Sequence, residues 1–348
     1  MDWMESVSEA AFELESKPAV DDLRRQADGG NAQAAAALAL RLLVGRDAPF
    51  APEEGVELIE RAAAQGEPQA LCNLATLRAG GAWTRQSWPE ALDLMEQAAM
   101  RESKDARDQL CIVSGDKTLA AQAHRGADGD DIWRKLKSSI DLRAFVTPKP
   151  PVQVCESPRV WTTENFATRE LCEWLVSRST GRLKPALMRD ATTGVSHALD
   201  SRTCSDFVFD IVSGGIVMLL LRTKISAVTS IPAPHMEPPQ IFHYALGQEI
   251  KPHFDFLFDG KHSYGTDGKY TGDRLATFLM YLNEGYEGGD LEFPKVGYRY
   301  KGKIGDGIFF ASQRDGKPDH QSVHAATPIT KGEKYILSQW IHNQPFGA

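Results

Sequence analysis

Lys251-Pro-His-Phe-Asp-Phe-Leu-Phe258 is the stretch on which the reading of this chain turns. It holds an imidazole, His253, and a carboxylate, Asp255, two residues apart. On a strand, side chains alternate between faces, so both point into one interior. Two histidines and one carboxylate on one side of a metal, with the other positions open, form the ligand set of non-haem Fe(II) oxygenases. His-x-Asp alone is a weak signal, found by chance in many chains, so a third ligand must lie downstream. His324 can supply it, in Ser322-Val-His-Ala-Ala-Thr-Pro-Ile-Thr-Lys331. Ten residues later, after a Lys-Gly-Glu turn, Lys334 opens a β-rich run. There Lys334, Ile336, Ser338 and Trp340 share one face, and Tyr335, Leu337, Gln339 and Ile341 the other. A lysine on the face of Ile336 and Trp340 needs an anionic partner, because an unpaired buried ammonium is costly. A dicarboxylate co-substrate would be one.

Outward from this block, further segments fall into order. They are Ser157-Pro-Arg-Val-Trp-Thr-Thr-Glu-Asn-Phe166, Ser201-Arg-Thr-Cys-Ser205, Tyr244-Ala-Leu-Gly-Gln248, Arg274-Leu-Ala-Thr-Phe-Leu-Met-Tyr-Leu282 and Glu287-Gly-Gly-Asp-Leu-Glu-Phe-Pro294. With His253, Asp255 and the His324…Lys334 block, the region from about 155 to 345 resembles the prolyl 4-hydroxylase branch of the Fe(II)/2-oxoglutarate dioxygenases. The resemblance implies roles. His253, Asp255 and His324 would ligate Fe(II). Lys334 would pair with the distal carboxylate of 2-oxoglutarate, and Tyr244 would hydrogen-bond it. Arg202, Arg274 and Trp340 match positions of the substrate pocket, with Arg274 also counted among the catalytic residues. Trp340 reads equally well as a core tryptophan. The implied reaction hydroxylates a C–H bond with O2, converting 2-oxoglutarate to succinate and CO2; ascorbate dependence is a further family expectation. Two departures bear on the substrate. Asp290-Leu291 stands where many members have Glu-Thr, whose threonine contacts the co-substrate, and Cys204 stands where serine is usual.

Other histidines are set aside. His320, four residues before His324, competes for the distal position, but the ten-residue spacing to Lys334 favours His324. His243 neighbours Tyr244 with opposite parity and faces away. His262 sits in the polar stretch Asp259–Gly268, which reads either as a loop that closes over substrate or as a surface insert.

The N-terminal third is a different object. Gly30–Gln65 and Gly66–Arg101 align without gaps at a period of 36, pairing Ala34 with Ala70, Leu38 with Leu74, Gly45 with Gly81 and Ala62-Ala63 with Ala98-Ala99. Each unit reads as two amphipathic helices with small residues at their crossing. The pattern resembles Sel1-like repeats, relatives of the tetratricopeptide repeat. Two units fall short of the roughly three a solenoid needs, so helical flanks at 5–27 and 102–125 are expected as caps. The repeats read either as a protein-docking surface or as a scaffold. Gly126–Asp131 reads as a turn-rich break, and the prolines of Val146-Thr-Pro-Lys-Pro-Pro-Val-Gln-Val154 as a semi-rigid linker or an extended first strand.

A net charge of −8 gives no basic footprint for nucleic acid. Five scattered cysteines without a Cys-x-x-Cys point to reduced thiols rather than a disulfide framework. The acidic start Met1-Asp-Trp-Met-Glu lacks the regions of a signal peptide, and the apolar run Ile211–Leu221 is too short to span a bilayer. A cytoplasmic enzyme acting away from membranes is the expectation.

The expected fold is α+β and multidomain. Residues 1–125 form Sel1-like helical repeats with caps, 126–154 a linker, and 155–348 a double-stranded β-helix (jelly roll) with flanking helices, among them Asn165–Arg178 and Ile211–Val228. The expected function is Fe(II)- and 2-oxoglutarate-dependent hydroxylation, of a prolyl residue in a protein or peptide before a free amino acid or other small molecule. A non-catalytic adaptor using the repeats is the alternative from another class.

Overall fold

The Lys334–His342 stretch forms the longest strand among the described residues, and it lies in the middle of the main sheet. The structure, a computed structural model, describes residues 19–126, 129–186, 188–189, 196–197, 201–256 and 272–346. The chain divides between Arg107 and Asp108 into two units.

The first unit is helical: α1 (Val20–Asp28), α2 (Ala32–Val44), α3 (Pro52–Ala64), α4 (Pro68–Gly80) and α5 (Trp88–Met100), with α6 (Lys104–Ser114) running across the division. Helices α4 and α5 open 36 residues after α2 and α3, as the repeat period demands. The stops and starts are local. The Asn31 side chain accepts from the Ala34 amide at 3.0 Å, and Gly45 and Gly81 close α2 and α4 in the left-handed conformation, with φ of 64° and 70°. Leu38, Ala39, Ala62, Ala75 and Ala98 are fully or almost fully buried, so alanines line the helix crossings where larger side chains would force the pairs apart. Of the expected N-terminal cap, only α1 falls within the described residues.

The second unit continues with α7 (Lys117–His124), α8 (Asp131–Ser139) and α9 (Leu142–Val146). The stretch 126–154, read from sequence as a linker, thus carries two short helices. Ile132, Trp133 and Leu136 are buried, so α8 is packed rather than a solvated spacer. The sheet strands are β1 (Val152–Glu156), β2 (Arg159–Thr163), β3 (Lys184–Pro185), β4 (Ser205–Val208), β5 (Gln240–Tyr244), β6 (Ile250–His253), β7 (Arg274–Tyr281), β8 (Leu291–Phe293), β9 (Tyr298–Tyr300), β10 (Gly307–Ala311), β11 (His324–Ala326) and β12 (Lys334–His342). Eight form one antiparallel sheet in the order β1-β2-β10-β7-β12-β5-β4-β3, and four form a second in the order β9-β8-β11-β6. Phe242, Ile308, Phe310 and Ile336 of the first sheet and Ile250, Leu291 and Phe293 of the second share one core, which therefore lies between the sheets. This is the two-sheet jelly-roll arrangement expected.

Helices α10 (Arg169–Ser179) and α11 (Gly215–Thr229) are those expected, but both begin later than their apolar patterns suggest. Asn165 sits at φ 52°, and Thr168 caps α10 by accepting from the Leu171 amide at 3.2 Å. Gly215, at φ 57°, opens α11, so the apolar residues Ile211 and Val212 lie ahead of the helix. The Cys172 thiol of α10 donates to the Tyr281 carbonyl at 3.7 Å, which docks the helix against β7.

Candidate metal centre and its pocket

In the second sheet, β6 and β11 run antiparallel with His253 directly opposite His324. The strand pairing brings two residues 71 positions apart in the sequence to ring centroids 4.3 Å from each other. Each imidazole has its Nδ1 on a backbone carbonyl two residues earlier: His253 on Lys251 and His324 on Ser322, both at 3.0 Å. A ring whose Nδ1–H donates to a carbonyl presents the lone pair of Nε2, the tautomer a metal requires. Those two Nε2 atoms flank the Asp255 carboxylate at 3.6 Å each, one on either oxygen. One ligand atom from each of the three residues lies within 4.8 Å of the others, and among the described residues this is the one such cluster. Two imidazoles and a carboxylate in this geometry fit Fe(II). His320, the competing histidine, is exposed and meets Phe254 and Phe256 edge-on at 5.5 and 5.8 Å. His243 pairs instead with Glu333 at 2.8 Å and packs on Tyr335. His262 and the Asp259–Gly268 loop lie outside the described residues.

The electrostatics suit a cation. Burial works to raise the Asp255 carboxyl, but His324 and His253 outweigh it and hold it well below the usual range. Burial, with His253 beside it, pushes the His324 imidazole down to about 4, so it is neutral at neutral pH. The Thr277 hydroxyl, from the centre of the main sheet, donates to Asp255 Oδ2 at 2.5 Å.

These residues line one cavity with Arg202, Phe242, Tyr244, Leu291, Lys334, Ile336, Ser338 and Trp340 among others. The expected face of β12 is observed: Lys334, Ile336, Ser338 and Trp340 all reach the cavity. Lys334 stands opposite Tyr244 in the β12–β5 ladder and is 2% exposed. Its ammonium donates to the Gly289 carbonyl at 2.7 Å and lies over the rings of Tyr281 and Tyr244 at 5.2 and 5.4 Å. Among the described residues no carboxylate forms an ion pair with it. Burial pushes its pKa down to about 7, with Asp290 opposing. A buried cation left to carbonyl and ring contacts fits a co-substrate carboxylate. Leu291, at the expected departure, puts an alkyl wall where a hydroxyl is common. Cys204 is buried near Tyr244, and burial, then Cys204, raise the tyrosine phenol.

Arg274 is placed differently from a free substrate ligand and is not among the residues lining the cavity. It forms a two-pronged pair with buried Glu237 at 2.6 and 3.1 Å, and its guanidinium lies 3.9 Å from the Trp340 ring centroid. His342 Nε2 meets the same Glu237 oxygen at 2.7 Å. Burial works to raise the Glu237 carboxyl; Arg274 and His342 outweigh it and hold it below the usual range. Arg202 does reach the cavity, 4.5 Å from the Phe242 ring centroid and 6.0 Å from that of Trp340. Trp340 therefore lies among two arginines and Phe242, with its Nε1–H buried and without a partner among the described residues. Glu237, His342 and Thr277 were not singled out from sequence. Parity puts Thr277 on the same face as Leu275 and Leu279, but only the pairing of two sheets shows that it meets Asp255.

The 2OG-Fe(II) oxygenase superfamily matches over residues 239–342, which span β5 to β12. Probable prolyl 4-hydroxylase 7 of Arabidopsis thaliana is 30% identical over 259 residues, covering 68% of this chain and 78% of that protein. The crystal structure of the viral collagen prolyl hydroxylase of Paramecium Bursaria Chlorella virus-1 aligns with 54% of this chain and 98% of its own at 24% identity and a TM-score of 0.40. A Sel1 repeat protein from Oxalobacter formigenes aligns with 36% of the chain and 51% of its own at 21% identity and a TM-score of 0.27. On the family match and the Arabidopsis relative, the chain belongs to the 2OG-Fe(II) oxygenase superfamily, among the prolyl 4-hydroxylase-like enzymes that use Fe(II), 2-oxoglutarate and dioxygen, and its His-Asp-His cluster and buried lysine agree.

Proposed function

We propose that this enzyme hydroxylates a prolyl residue of a protein or peptide. The observation that carries the reading is the convergence of His253, Asp255 and His324 on one cavity with the buried cation of Lys334, in a chain whose relatives are prolyl 4-hydroxylases. When bound, Fe(II) with 2-oxoglutarate and dioxygen supplies the oxidation of a C–H bond, leaving succinate and carbon dioxide. The chain does the rest. His253 and His324 offer Nε2 and Asp255 a carboxylate oxygen to the metal. Lys334 takes the distal carboxylate of 2-oxoglutarate, and the Tyr244 hydroxyl hydrogen-bonds it. Phe242, Leu291, Ile336 and Trp340 exclude water from the cavity, which strengthens each of these polar contacts. The Trp340 Nε1–H, without a partner among the described residues, is a donor suited to a carbonyl or carboxylate oxygen of the substrate. Arg274 acts from behind as a support for Trp340, while Arg202 faces the substrate.

The repeat unit serves as a docking surface for the protein that carries the target proline, and the enzyme works in the cytoplasm. Among the described residues no helix is long and apolar enough to cross a membrane. The test is succinate formation by the Fe(II)-loaded protein with and without a proline-rich peptide. Stimulated turnover with a mass gain of one oxygen on proline supports the reading. Turnover that ignores the peptide sends the search to small-molecule substrates. Equal hydroxylation of a protein substrate after deletion of the repeats removes the docking role.

A further inference from the structure

We infer that Thr277 is a positioning residue for the metal centre: its hydroxyl pins one oxygen of Asp255, so that the carboxylate meets the metal through the other. The inference rests on the assignment of His253, Asp255 and His324 as ligands. All three of those side chains belong to β6, β11 or the residues just after β6, on the smaller sheet. Thr277 comes from β7 at the centre of the larger sheet, and it is 1% exposed. It is thus a point at which the larger sheet hydrogen-bonds a ligand of the smaller one. The geometry separates the two carboxylate oxygens. Oδ2 accepts from Thr277 at 2.5 Å and lies 3.6 Å from His324 Nε2; Oδ1 lies 3.6 Å from His253 Nε2.

A carboxylate with both oxygens free can turn about its last bond and chelate a cation through both. A second oxygen on the metal would take a position that 2-oxoglutarate or dioxygen needs. A short hydrogen bond from a buried hydroxyl opposes that rotation, because turning leaves the hydroxyl unpaired in a dry site. The hydroxyl is itself held. Thr277 stands between Phe310 and Trp340 across the two neighbouring strands. The Phe310 ring packs on His324 at 4.6 Å, and Trp340 lines the cavity, so one row of the sheet touches a histidine ligand, the carboxylate ligand and the pocket wall.

The test is titration of the metal-free full-length protein with Co(II), read by the visible absorption of the bound ion and by its dissociation constant. T277V removes the hydroxyl and keeps the shape; T277S keeps the hydroxyl and removes the methyl. The expected result is Co(II) binding weakened about 10- to 100-fold in T277V, as for other residues that orient metal ligands. Its absorption band shifts as the carboxylate reorients, and T277S restores both the affinity and the band. Unchanged affinity and spectrum in T277V overturn the inference while leaving the ligand assignment intact, and so does a T277S variant as weak as T277V. Wild-type protein that takes up no Co(II) overturns the ligand assignment itself. Thermal unfolding of the metal-free variants gives the folding control, and if T277V does not fold, T277A against T277S makes the same comparison.

Discussion

Lys334 is buried and, among the described residues, has no carboxylate partner, so its charge and the binding of 2-oxoglutarate are linked. Its pKa is pushed down to about 7 from an ordinary 10.5. An ammonium paired with a bound carboxylate is held charged to much higher pH. Binding above pH 7 therefore takes up a proton, and the affinity is set by the fraction of free protein already charged. That fraction is about one half at pH 7 and about 1% at pH 9, so binding weakens about fiftyfold between them. At pH 8 the uptake is about 0.9 proton per 2-oxoglutarate bound. Calorimetry on the Fe(II)-loaded protein without dioxygen, in buffers of different ionisation enthalpy, measures both quantities. Lys334→Met abolishes the uptake and flattens the slope. An affinity that is level from pH 7 to 9 with no proton uptake in the wild type would falsify the pairing of Lys334 with the co-substrate. The same shift acts on the free protein. Between pH 7 and 10.5 the unfolded chain binds a proton at this site that the folded chain does not, so this group makes the unliganded protein more stable as pH rises through that window.

Substitutions at four further positions probe the rest of the site. His324→Ala loses Fe(II) binding while His320→Ala retains it, measured by metal content after dialysis; the reverse pattern moves the ligand to His320. Glu237→Ala strands the partly buried Arg274 guanidinium and lowers unfolding stability by about 3–5 kcal/mol in urea. Glu237→Gln, which keeps an acceptor, costs less, and a loss below about 1 kcal/mol for the alanine means that Arg274 finds another partner. Gly289→Ala places a Cβ 2.6 Å from Ile329 Cδ1 and 3.1 Å from Lys334 Cδ at φ 68°. It destabilises the fold by about 1–3 kcal/mol and weakens 2-oxoglutarate binding. Wild-type affinity in that variant means Lys334 does not depend on the close approach of Gly289.

The sequence by itself determined the pairing of His253 with Asp255 on one face, the face of β12 and the helical repeat. Each of these depends on short-range periodicity. Residues two apart on a strand share a face, so His253 with Asp255, and Lys334 with Trp340, could be paired without knowing what lay opposite. A helix pair repeats wherever its small and apolar residues repeat, which is why α4 and α5 fall 36 residues after α2 and α3. Helix starts were less legible, because a cap can override an apolar pattern. Helices α10 and α11 begin at Arg169 and Gly215, each four residues after the start the sequence suggests, Asn165 and Ile211. Contacts between strands far apart in the chain had no local signature at all. Arg274 matched a pocket residue in the sequence, yet the fold gives its charge to Glu237 and its flat face to Trp340. Thr277 looked like one more residue of a β-rich run until the larger sheet brought its hydroxyl to Asp255. Periodicity records which way a side chain points; what it meets depends on sheet register, and that is decided only when strands separated by tens of residues pair.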